Sequence, residues 1–70
     1  MEKLIINTPF IRLDSALKLS GIVQTGGHAK ILIQDGEAYV NGEPCFQRGH
    51  KLHAGDVVEC MEEQFEVEAE

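Results

Sequence analysis

The Asn41-Gly42 pair restricts the fold of this chain more than any other feature. It stands between two extended runs, Ala38-Tyr39-Val40 and Glu43-Pro44-Cys45-Phe46. A two-residue type I′ turn needs positive φ at both central positions, and Asn followed by Gly adopts it most readily. The sequence therefore predicts a tight β-hairpin here. Pro44 has no amide hydrogen, so its strand belongs at a sheet edge or is very short. Further strands are expected over Val57 to Cys60 and Gln64 to Val67, with a turn at Ala54-Gly55-Asp56 between them and the hairpin.

Before the hairpin the pattern is helical. Lys3 to Asn7 reads as a short edge strand, broken by Thr8-Pro9. Leu13, Ala16 and Leu17 then fall on one helix face, which predicts a helix near Leu13 to Ser20, with Asp14 suited to its positive end and Gly21 as its stop. A second helix is predicted over Gly26 to Asp35. Thr25 is its N-cap, Ala29, Leu32 and Ile33 its apolar stripe, and Gly36 its left-handed stop. Lys30 and Gln34, four residues apart, stack on the opposite face. Ile31 also falls on the outer side, or packs against the N-terminal strand. The order of elements gives an α+β class: one domain over 1–70, a helical hairpin packed on a short, twisted antiparallel sheet.

Seventy residues bury only about 60% of the unfolded surface. No run approaches the roughly 20 apolar residues of a membrane span, and Met1-Glu2-Lys3 carries no secretory pattern. A cytoplasmic, monomeric protein is the expectation. The formal charge is −6, which taken alone argues against nucleic acid. Its distribution changes that reading. Six acidic and six basic side chains balance up to Val58, and the whole excess lies in Glu59, Glu62, Glu63, Glu66, Glu68 and Glu70. A neutral body can carry a local basic patch beside an acidic C-terminal segment, 59–70.

One ordered series of residues resembles a known family. It runs Arg12-Leu13-Asp14, Leu17, Gly21, then Thr25-Gly26-Gly27-His28-Ala29-Lys30-Ile31-Leu32-Ile33, Gly36, Val40-Asn41-Gly42 and Gly55-Asp56. The series resembles the S-four RNA-binding domain, named for ribosomal small-subunit protein four, and covers Arg12 to Glu59. The segments Thr25 to Lys30 and Arg48-Gly49-His50-Lys51-Leu52 look most like its short stand-alone bacterial YaaA/YbcJ-like subgroup. Gly26 stands where many members carry Arg. The resemblance implies an alpha-L motif in which the second helix and the following hairpin form the RNA surface. The partner it implies is structured RNA, ribosomal RNA or tRNA, in association with the ribosome.

The residues assigned to that surface are Arg12, Lys18, Thr25, Gly26, Gly27, His28, Lys30, Gln34, Asn41, Gly42, Arg48, His50 and Lys51. Their chemistry suits the role. Free amides and a positive dipole end at Thr25-Gly26-Gly27 allow a phosphate to approach the backbone, although paired glycines also serve plain turns. Lys30 supplies a point charge and Gln34 a hydrogen-bonding amide. Arg48, His50 and Lys51 form the densest basic cluster, in what reads as a polar loop over Gln47 to Lys51. Tyr39 and Phe46 are expected in the core. That leaves few stacking platforms, and it favours recognition of backbone and shape over stacked single strands.

No nucleophile elbow, P-loop or dinucleotide fingerprint appears, so no catalysis and no cofactor are expected. Asp14, Asp35 and Asp56 suit caps and turns. The rival reading is a protein-interaction adaptor at the ribosome that uses the acidic C-terminal segment. His28, His50, His53, Cys45 and Cys60 are zinc-ligand types, but the only close spacing is His50-x-x-His53 and there is no Cys-x-x-Cys pair. Cys45 and Cys60 are expected as reduced thiols. Thiol titration of denatured, unreduced protein should therefore find both cysteines free, and elemental analysis should find no stoichiometric zinc; one zinc per chain would overturn the expectation.

Overall fold

The two ends of the chain meet in one sheet. In the computed structural model, which describes all residues from Met1 to Glu70, β1 (Glu2–Ile6) lies beside β7 (Glu63–Ala69), with Lys3 next to Glu66 and Leu4 next to Val67. β7 continues to β6 (Val57–Cys60), β6 to β3 (Ala38–Val40), and β3 to β4 (Glu43–Pro44), giving the order β1-β7-β6-β3-β4. The β7–β6, β6–β3 and β3–β4 pairings are antiparallel, as expected, but β1 runs parallel to β7, so the sheet is mixed. The difference has a plain cause. Hairpins enforce antiparallel pairing between neighbours, whereas β1 and β7 are joined through the rest of the chain, a connection long enough for a parallel crossover. Pro44 sits on the edge strand, where its missing amide hydrogen breaks no ladder.

Between β1 and β3 the chain forms β2 (Ile11–Arg12), α1 (Leu13–Leu19) and α2 (Gly26–Gln34). A second, two-stranded sheet pairs β2 with β5 (Lys51–Leu52), Ile11 opposite Leu52 and Arg12 opposite Lys51. Lys51 thus opens a strand and does not belong to the polar loop. Leu52, its neighbour, is fully buried and pins that strand to the core.

Alternation sets which side of the five-stranded sheet is covered. Leu4, Ile6, Ala38, Val58, Cys60, Phe65 and Val67 point inward. They meet Leu13, Ala16 and Leu17 of α1 and Ala29 and Ile33 of α2, and with Val23 and Leu52 these form a single core. The opposite face, with Lys3, Ile5, Tyr39, Glu59, Gln64, Glu66 and Glu68, has no layer over it. Tyr39 was expected in the core. It lies on this open face, because Ala38 takes the inward position, and is 39% exposed. Phe46, also expected inside, is 60% exposed: it lies just beyond the short edge strand, where no layer faces it. Ile31 is exposed on α2. Burial, and then the charge of Glu37, hold the Cys60 thiol above its usual range, so it stays protonated and inert.

The helix ends follow their residues. The Thr25 hydroxyl accepts the His28 amide hydrogen at 3.1 Å. At the far end of α2 the Glu37 amide donates to the Leu32 carbonyl and the Gly36 amide to the Ile33 carbonyl, with Gly36 at φ 77°, a Schellman closure.

The hairpin turn is type I′, with Asn41 at φ 52° and Gly42 at φ 86°. Asn41 also acts as a clamp. Its amide donates to Asp56 Oδ1 at 3.1 Å, and its carbonyl oxygen accepts the Val57 amide hydrogen at 2.9 Å. Asp56 in turn accepts the His53 amide hydrogen at 2.8 Å. Partial burial pushes the Asp56 carboxyl up. The His53 amide, the Asn41 amide and the nearby His53 and His50 outweigh it, and hold the group below the ordinary 3.8. Because the folded value is the lower one, the stabilisation is complete above the unfolded value and is lost as pH falls through the folded value. Between about pH 5 and about pH 3, wild-type stability should fall more steeply than that of Asp56→Asn, whose side chain cannot ionise; parallel acid-denaturation curves would remove Asp56 as the cause.

The β6–β7 turn has the same backbone shape without the residues that favour it. Met61 has φ 53° and Glu62 φ 64°. A left-handed non-glycine residue costs roughly 1–2 kcal/mol, partly offset on substitution by the larger unfolded-state entropy of glycine. Glu62→Gly should accordingly raise the unfolding free energy by up to about 1 kcal/mol in denaturant titration, and no gain would mean the turn is unstrained.

Candidate nucleic-acid interface

α1 starts immediately after β2, and its N-cap, Arg12, makes no side-chain cap hydrogen bond. The first-turn amides of a helix need acceptors. Here the loop before β5 provides them. The Leu13 amide donates to the His50 carbonyl at 2.9 Å and the Asp14 amide to the Arg48 carbonyl at 3.1 Å. The loop is itself closed by the His50 amide donating to the Gln47 carbonyl at 3.1 Å. The backbone of Arg48 to His50 is therefore fixed against α1, and its side chains are carried to the same corner as Arg12.

The Arg12 guanidinium lies over Gly49, where an added β-carbon would come within 3.7 Å of it. It donates from Nε and Nη2 to the two Asp14 carboxylate oxygens, at 3.2 and 3.1 Å. Lys51, opposite Arg12 in the β2–β5 pair, holds its ammonium 4.8 Å from the Phe10 ring centroid, a cation–π contact. The Phe10 ring in turn lies 6.3 Å from that of His53. Arg12, Arg48, His50 and Lys51 thus share one corner, with Asp14 offsetting Arg12. Lys18 is exposed further along α1 and borders a shallow recess with Ile11 and Ser15.

The remaining sequence-predicted residues lie elsewhere. Thr25, Gly26, Gly27 and His28 form the exposed start of α2, and Lys30 and Gln34 are exposed on its outer side. No hydrogen bond or ion pair links Lys30 or Gln34 to the basic corner. Neither Gly26 nor Gly27 has positive φ, and an added β-carbon would meet open space at Gly26 and only the Thr25 hydroxyl, at 4.0 Å, at Gly27. Packing and backbone shape therefore do not require glycine at either position; its effect is to leave the helix end unobstructed. Asn41 and Gly42 serve the hairpin and its clamp.

Charge is segregated. Lys3 is the one Lys or Arg on the open sheet face, and it is bound there by Glu66. The Glu66 hydrogen bond raises the Lys3 pKa, with lesser support from the charges of Glu66 and Glu68, and outweighs the opposing effect of desolvation. Glu59, Glu66 and Glu68 occupy that face against the single Lys3, so the uncovered side of the sheet is net negative. The His and Cys side chains do not converge with carboxylates into any group of three that could hold a metal.

Phe10, Phe46 and Gly49 at or beside this corner were not among the residues picked from sequence. No sequence signal marks Gly49, because the Arg12 side chain that lies over it is remote in sequence. Phe46 could have been found as an aromatic just beyond a proline-marked edge strand.

Comparison with known proteins agrees with this architecture. A model of the S4 domain matches residues 4–68, further in both directions than the Arg12 to Glu59 series. The chain is 48% identical over 54 residues to a Bacillus subtilis protein named "probable ribosome maturation protein RlbA", covering 77% of this chain and 76% of that protein. The solution structure of YbcJ from E. coli, described as revealing an αL motif involved in RNA binding, superposes with a TM-score of 0.76 at 30% identity, over 99% of this chain and 89% of the other. With its helical pair on a mixed sheet, its capped α2 and a family match spanning nearly all of its length, the chain belongs to the S4 domain family.

Proposed function

We propose that this protein is a non-catalytic module that binds structured RNA through backbone and shape contacts at the corner formed by Arg12, Arg48, His50 and Lys51. The observation that carries the reading is that backbone hydrogen bonds and the β2–β5 pairing bring the chain at Arg48, His50 and Lys51 against that at Arg12 in a molecule whose net charge is −6. Phosphate contacts dominate RNA affinity, and Glu59, Glu66 and Glu68 lie away from this corner on the open sheet face. The exposed start of α2, with Lys30 and Gln34 beyond it, is a second candidate contact region. Ribosomal RNA is the proposed target, with tRNA as the other structured candidate; the ribosome maturation role in the name of the Bacillus relative supports association with the ribosome. Asp14, engaged by Arg12 and Ser15, and Asp56, engaged by Asn41 and His53, serve a helix start and a turn, which supports a non-catalytic reading.

The adaptor reading draws on the open acidic face, which suits a basic protein partner. Pull-down with and without RNase separates the two: RNA-dependent recovery supports the proposal, and RNase-resistant protein partners support the adaptor.

Changing Lys30 and Arg48 together to Glu should abolish binding to structured RNA while leaving the melting temperature nearly unchanged, since exposed charges contribute little to stability. Wild-type affinity should fall with salt at a slope of roughly −0.7 to −0.9 per phosphate contact. A folded double variant that binds as well as wild type at moderate salt would place the interface elsewhere.

A further inference from the structure

We propose that a cleft beside the basic corner receives one unstacked nucleobase, with the Phe46 ring as its stacking surface. The inference rests on the RNA-binding reading above and adds a target class: RNA that presents a bulged or unpaired nucleotide next to a helix.

Phe46 is the first observation. Its ring is 60% exposed, the most exposed of the aromatic side chains, in a chain with only three Phe and one Tyr. It is also supported from beneath. Gly36, at the close of α2, has φ 77°, and a β-carbon there would stand 3.1 Å from Phe46 Cε1 and 3.5 Å from Cζ. The ring therefore lies against the bare backbone of Gly36 while most of the residue remains exposed. An aromatic ring held in place but left uncovered loses little entropy when a flat partner stacks on it.

The second observation is the cleft. It measures about 570 Å³, within the range of small-ligand sites, and lies between the β3–β4 hairpin and the loop that follows. Val40, Pro44 and the Phe46 ring give it apolar walls, and Glu43, Gln47 and His50 contribute polar groups. That combination fits a base better than a phosphate. The Glu43 carboxylate repels phosphate but accepts from an exocyclic amine, and the Gln47 amide both donates and accepts. Adenine, cytosine and guanine carry such an amine and uracil does not.

The third is continuity. His50 lines the cleft, and its carbonyl also holds the Leu13 amide of α1. The loop that displays Arg48 for phosphate thus forms one wall of the pocket, so backbone and base of one nucleotide can be engaged together.

The test uses the full chain and three RNA hairpins with the same stem: fully paired, with one bulged adenosine, and with one bulged uridine. Wild type should bind the adenosine bulge most tightly, and the Phe46 ring protons should move upfield in NMR spectra as a base stacks on them. Phe46→Leu, which keeps apolar packing on Gly36 but lacks a π-face, should weaken binding to the adenosine bulge by roughly five- to 150-fold, the range for loss of one base–aromatic stack, and leave the paired stem unaffected. Phe46→Tyr should restore the preference. Equal wild-type affinity for the paired and bulged hairpins would overturn the pocket while leaving the RNA-binding reading intact, as would unchanged bulge binding by Phe46→Leu. Failure of all three hairpins to bind would overturn both.

Discussion

The first turn of α1 depends on two borrowed carbonyls. Arg12 caps nothing with its side chain, so the Leu13 and Asp14 amides are satisfied by His50 and Arg48 from a loop remote in sequence. Leaving such amides unpaired costs free energy, and that cost ties the loop to the helix. Other features follow from this contact. The β2–β5 pair extends it, Leu52 anchors it in the core, and the Arg12 guanidinium lies over Gly49. The basic corner is thus held by backbone hydrogen bonds, which are indifferent to the side chains displayed. Those side chains are free to vary with the ligand without loss of the fold.

A net negative chain with a basic corner differs from a uniformly basic RNA binder. Its overall field does not draw polyanions from a distance, and at physiological salt charges separated by more than about 8 Å are largely screened from one another. Recognition on such a surface has to come from close contacts: an arginine fork on a phosphate, or a ring against a base. The open sheet face, with Glu59, Glu66 and Glu68, gives the molecule a second side of opposite sign that disfavours RNA bound in the wrong orientation.

Much of this was legible in the residues, and the rest was hidden for definable reasons. Asn41-Gly42 announced its turn because only a few residues tolerate positive φ; Met61-Glu62 adopts the same shape and carries no such mark. Both helices were legible from their apolar spacing and from Thr25 and Gly36. β2 and β5 were not, since two residues are too few to show alternation. The parallel β1–β7 pairing depends on contacts remote in sequence, which local pattern does not encode. Tyr39 and Phe46 were assigned to the core on residue type alone, whereas strand parity for Tyr39 and the position after Pro44 for Phe46 turn them outward. Within the candidate site, Arg48, His50 and Lys51 were legible as a charge cluster. Their attachment to α1 was not, because it is made by carbonyl groups that every residue possesses.

The parallel pairing of β1 with β7 bears on how this chain acquires its structure over time. Glu2 pairs with Phe65 and Ile6 with Ala69, contacts that close a loop spanning nearly the whole molecule, whereas the two helices need only near neighbours. Closing the long loop costs more entropy before any contact offsets it, and non-local pairing slows folding in general. The helical pair and the β3–β4 hairpin can form while β1 is still without a partner. Leu4 and Ile6 then remain an uncovered apolar strand edge, the kind of surface through which incompletely folded chains associate, until the acidic C-terminal strand arrives and covers them.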